Sequence, residues 1–65
     1  MNIVYALLYD VGGTGMEISG IYFSLEGAKS AVGVELWKEH EGVVGFWEGH
    51  DANNLLWWIE AHALQ

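Results

Sequence analysis

Gly20-Ile21-Tyr22-Phe23-Ser24-Leu25-Glu26-Gly27-Ala28-Lys29 is where the periodicity of this 65-residue chain changes. Up to Phe23 the residues are β-branched or aromatic, as a strand requires. Ser24 is a good helix N-cap, and Glu26 puts a carboxylate in the first turn, where the helix dipole favours it. The stretch therefore joins a strand to a helix. Stepping about 100° per residue from Leu25 places Leu25, Ala28, Ala31, Val32 and Leu36 on one stripe, which should pack on a sheet. Val34 and Trp37 fall on the opposite side. Gly42 stands where a C′ residue would close a helix running from about 25 to 41. Gly27 and Gly33 each cost such a helix about 1 kcal/mol relative to Ala.

On the N-terminal side, residues 2–9 alternate Ile3, Tyr5, Leu7 and Tyr9 with Val4, Ala6 and Leu8, so both faces of a first strand are apolar. Such a strand is expected to be central in its sheet, or to carry a helix on one face and another subunit on the other. Asp10-Val11-Gly12-Gly13-Thr14-Gly15 supplies glycines for a hairpin, and Glu17–Phe23 reads as the returning strand. In it Ile18, Gly20 and Tyr22 share one face, and Ser19, Ile21 and Phe23 the other.

On the C-terminal side, Val43–Glu48 reads as a third strand with Val44 and Phe46 on one face and Val43, Gly45 and Trp47 on the other. A polar loop over 49–54 follows. Residues 55–64 read either as a strand, with Leu55, Trp57, Ile59, Ala61 and Ala63 on one apolar face, or as a helix capped by Asn54. Alternation over this many residues favours the strand. The expectation is an α+β fold, ββαββ, with one helix packed on a small antiparallel sheet, as a single domain over 1–65.

Nine Asp and Glu against two Lys and Arg give a formal net charge of −7, which repels phosphate backbones and anionic membranes. Direct nucleic-acid or membrane binding is not expected. The chain has no Cys, so it has no disulfide, thiolate zinc site or Cys nucleophile. No window reaches the roughly 18 apolar residues of a membrane span. The N-terminus lacks the basic region and cleavage site of a signal peptide, and a cytoplasmic protein is expected.

Three constellations suggest chemistry. Leu8-Tyr9-Asp10-Val11-Gly12-Gly13-Thr14-Gly15 resembles the Asp-x-Gly-Gly-Thr phosphate-binding hairpin of sugar kinases in the actin-like ATPase superfamily, whose turn amides cradle phosphate. That superfamily needs two lobes and further nucleotide loops that 65 residues cannot supply, so a plain hairpin is the preferred reading and a phosphate or small-ligand binder the alternative. His40, His50 and His62 with Glu41 and Asp51 lack the short spacing of a metal site and read as solvated or hydrogen-bonded groups. Glu35 and Glu39 are i,i+4 on the expected helix, a solvated face. Hence no catalytic, cofactor or metal residues are assigned and no enzyme is expected.

Trp37, Trp47, Trp57 and Trp58 are too many to hide under one helix, and Trp and Tyr dominate binding hot spots. Trp47 and Trp57 divide evenly between core and interface. Trp37, with Val34 beside it, and one of Trp57 and Trp58 are assigned to an interface. A small core and a two-sided first strand point to a homodimer.

The Gly20–Lys29 segment, set between an N-terminal hairpin and a closing Trp-Trp-Ile-Glu-Ala-His-Ala-Leu strand, resembles small ββαβ-type accessory proteins of bacteriophages and prophages. The resemblance implies an accessory protein that binds a host or viral protein, and it brings no catalytic residues. The expected function is a small acidic protein–protein interaction module, an inhibitor of a host nucleic-acid-acting or defence protein. Its contact residues would be Val34, Trp37, Trp58, Glu35, Glu39, Glu41 and Glu48. A structural subunit of a larger assembly is the remaining alternative.

Overall fold

The computed structural model describes residues 2–12 and 15–64. The described residues form five strands and one short helix: β1 (Asn2–Asp10), β2 (Met16–Tyr22), α1 (Leu25–Ser30), β3 (Lys38–Glu39), β4 (Phe46–His50) and β5 (Leu56–Leu64). The strands make one antiparallel sheet in the order β2-β1-β5-β4-β3. The α+β class and antiparallel sheet agree with the expectation; the order ββαββ becomes ββαβββ, because a two-residue β3 pairs outside β4. The last segment is a strand, and β1 lies inside the sheet between β2 and β5.

Ser24 caps α1 as expected, its Oγ accepting from the Gly27 amide at 3.0 Å. The helix ends after six residues instead of running to 41. Gly33 between Val32 and Val34 is a poor helical run, and a competing arrangement wins: Val34 extends and makes a β-bridge to Asp51. The chain leaves β2 at one edge and must reach β3 at the other, four strand spacings or about 19 Å away. A helix over 25–41 would be about 24 Å long and could span that distance as well, so what ends it is the pairing of Val34 with Asp51 and of Lys38 and Glu39 with β4. So α1 packs over β1 and β2, and Val32, Val34 and Trp37 continue over β5 and β4.

This crossing covers one face of the sheet. Leu7, Ala28 and Ile59 are its fully buried centre, with Tyr5, Tyr22, Leu25, Val32, Trp37, Trp47 and Trp57 packed around them. Val34 and Trp37, expected to point outward, point inward. Gly42 has a left-handed φ of 80°, as a C′ residue would, but it serves the β3–β4 loop. The third strand is also shifted: it starts at Phe46, leaving Val43 and Val44 in that loop, where Val44 is 97% exposed.

One irregularity in β2 changes which side chains meet. Ala6 pairs with Ile21 and Leu7 with Gly20, but Leu8 pairs with Ile18, so Ser19 is an extra, bulged residue. Period-two reading across Ser19 put Ile18 with Gly20 and Tyr22. The bulge reverses that, placing Ile18 beside Ile21 on the uncovered face and Glu17 beside Tyr9 on the covered one.

Candidate interaction surfaces

The covered face ends in a polar network. Tyr9 packs on Trp57 with ring centroids 5.4 Å apart, and its hydroxyl donates to Glu17 Oε2 at 3.0 Å. That hydrogen bond and the carboxylate charge raise the pKa of Tyr9. Trp57 Nε1 donates to Asp51 Oδ2 at 3.1 Å, while Asp51 Oδ1 accepts from the amides of Asn53 and Leu55 at 2.9 and 3.0 Å. Asp51 thus shapes the β4–β5 turn and orients Trp57. These bonds, the Trp57 indole first, hold its carboxyl below the usual range.

A carboxyl with a lowered folded-state pKa contributes stability above its unfolded pKa, and that contribution is lost as pH falls through the folded value. Asp51→Asn keeps the shape but cannot accept from the indole with its amide nitrogen. Thermal melts should show the variant less stable than the parent at neutral pH, with the gap narrowing below about pH 4. A gap that stays constant into strong acid would contradict the assigned role.

The other face carries no helix. Its cross-strand rows run Ile21–Ala6–Glu60–Phe46 and Ile18–Leu8–Trp58–Glu48–Lys38, with Val4 opposite His62. Ile18 is 63% and Ile21 53% exposed, whereas Val4 and Ala6 on the same face are buried, at 8% and 5%. His62 Nε2 lies 3.1 Å from Glu60 Oε1; an ionised carboxylate only accepts, so the ring nitrogen donates. Trp58 tilts against Phe46 at 5.2 Å, and its Nε1 is solvent-inaccessible without a partner among the described residues.

A second surface follows the β3 edge. Glu35, Glu39 and Glu41 are exposed there, interleaved with Leu36, 80% exposed, and with Val43 and Val44. The assigned contact residues therefore separate. Glu35, Glu39 and Glu41 share the β3 edge, Glu48 and Trp58 sit half-buried on the bare sheet face, and Val34 and Trp37 belong to the packed side. Leu36, Val43 and Val44 were missed. For the two valines a signal was present: Gly42 and Gly45 bracket them, both with φ near 80°, marking a turn rather than a strand.

The hairpin joining β1 and β2 closes with the Val11 amide donating to the Gly15 carbonyl at 3.1 Å, and Gly12 and Gly15 both have positive φ. Gly13 and Thr14, on which the phosphate reading rests, lie outside the described residues. The three histidines are apart in use: His40 packs edge-on against Phe46, His62 bonds Glu60, and His50 is exposed at the end of β4. Among the described residues no group of three His, Asp or Glu is placed to hold a metal ion, and no helix is long and apolar enough to cross a membrane. Family models, curated proteins and solved structures show no match to this chain.

Proposed function

We propose that this chain is a small acidic protein–protein interaction module that docks through the β3 edge. The observation that carries the reading is the interleaving of three exposed carboxylates, Glu35, Glu39 and Glu41, with the exposed apolar side chains Leu36, Val43 and Val44. Such a strip complements a basic protein surface that has an apolar floor. The −7 net charge would steer it there, raising the association rate by about tenfold or more at low salt. The module acts by occupancy, with no bond made or broken. The layout likeness to phage accessory proteins supports a specific version: an inhibitor, working in the host cytoplasm, that covers the basic groove of a nucleic-acid-acting or defence protein.

The test is affinity purification from the native host with the parent chain and with Glu35→Lys/Glu39→Lys/Glu41→Lys, at low and high salt. All three side chains are exposed, so the fold should survive the change, which circular dichroism checks. A basic partner should be held by the parent at low salt and released by salt or by charge reversal. Recovery of no partner, or of one held equally by the reversed chain, would remove the proposal.

A further inference from the structure

The chain exposes 4519 Å². A folded monomer of 7.2 kDa is expected to expose about 4,100 Å². The crossing chain covers one face of the sheet and leaves Ile18, Ile21, Leu8, Trp58 and Phe46 on the other.

We infer that a second copy of this chain covers the bare sheet face, sheet against sheet, to give a two-fold sandwich with the helices outside. Area is the first argument. Strands of nine, seven, nine, five and two residues at about 3.3 Å per residue and about 4.8 Å spacing give a face of roughly 500 Å². Two such faces bury roughly 1,000 Å², the lower limit for a specific interface. Sheets stacked this way lie about 10 Å apart and align within about 30°.

Charge is the second argument, because a chain of −7 would at first be expected to repel itself. Three of the nine carboxylates, Asp10, Glu48 and Glu60, lie on the face. Glu60 is bonded to His62, and Glu48 stands opposite Lys38 on the neighbouring strand. A surface holding both members of each pair is self-complementary, as an isologous contact requires. Glu26 on the helix, Glu39 on the far side of β3 and Glu17 beside Tyr9 all lie off the face. The bulge at Ser19 fits the same end, since it moves Ile18 onto this face and Glu17 off it.

This inference is independent of the partner at the β3 edge, and salt separates the two: the sandwich should hold or tighten as salt is raised, whereas the acidic strip should release its partner. Sedimentation equilibrium up to a few hundred micromolar tests it on the parent chain, Ile21→Glu and Val44→Glu. Ile21 and Val44 are both exposed in the single chain, so both variants should fold, with Ile18→Glu as a second probe of the face. The expected masses are twice 7.2 kDa for the parent and Val44→Glu, and 7.2 kDa for Ile21→Glu and Ile18→Glu. A monomeric parent, a dimer indifferent to the face substitutions, or open-ended growth beyond the dimer would each overturn the inference.

Discussion

Replacing Ile59 by Ala should unfold most of the protein at room temperature or lower its melting temperature by about 10–30 °C. Ile59 is fully buried in β5, the central strand, between Leu7 of β1 and Trp47 of β4 and in the same cluster as Ala28. Removing its outer carbons leaves a cavity that the sheet cannot close, because both neighbouring strands are fixed by hydrogen bonds. Large-to-small changes of this kind cost about 2–5 kcal/mol. A domain of this size has a total stability of only about 3–10 kcal/mol, and each kcal/mol moves its melting temperature by about 4–8 °C. Leu36→Ala, at an exposed position, should change stability by less than about 0.5 kcal/mol. Thermal melts by circular dichroism check both. Equal effects would mean that the core is not where Leu7, Ala28 and Ile59 place it.

Gly49→Ala should be nearly as damaging, although it adds one methyl group to a buried position. A Cβ there would lie 2.5 Å from Val34 Cγ1, 2.8 Å from the Leu36 carbonyl oxygen and 3.4 Å from Trp37 Cε3. The valine could turn, but the carbonyl belongs to the backbone of the crossing segment, so the segment must lift off β4. Overpacking of this sort costs about 1–3 kcal/mol. The double variant Gly49→Ala/Val34→Ala removes one of the two obstacles and should recover only part of the loss. Gly33→Ala, where an added Cβ meets nothing within 4 Å, should be neutral or slightly stabilising. A melting curve for Gly49→Ala that matches the parent would contradict the close passage of residues 34–37 over β4.

Those two positions also show what could be read in the sequence. β1 and β5 were legible because alternation over nine residues has few competing explanations, and the Ser24 cap because its hydrogen bond is local. The helix end was not, because Val32, Val34, Leu36 and Trp37 suit an amphipathic helix and an extended crossover alike. What decides between them is the pairing of Val34 with Asp51 and of Lys38 and Glu39 with β4, which exists only once the strand order is set. The same limit hid the bulge. Ser19 is unremarkable in sequence, and only the pairing of Leu8 with Ile18 shows that one residue has dropped out of register. For the contact residues, composition identified a surplus of acid and tryptophan but not its sidedness. Three of the four tryptophans lie on the packed side, leaving Trp58 alone on the bare one.

The idea that ties fold to function is that this sheet is built with one face for its own chain and one for a second copy. Methyl resonances in the presence of a soluble paramagnetic relaxation agent, recorded at high protein concentration, test it most directly. Ile18 and Ile21 are exposed in the single chain much as Leu36 and Val44 are, but only the isoleucines lie on the bare sheet face. The agent should broaden Leu36 and Val44 and spare Ile18 and Ile21. Broadening of Ile18 and Ile21 as strong as that of Leu36 and Val44 would show the face open to water and contradict the account.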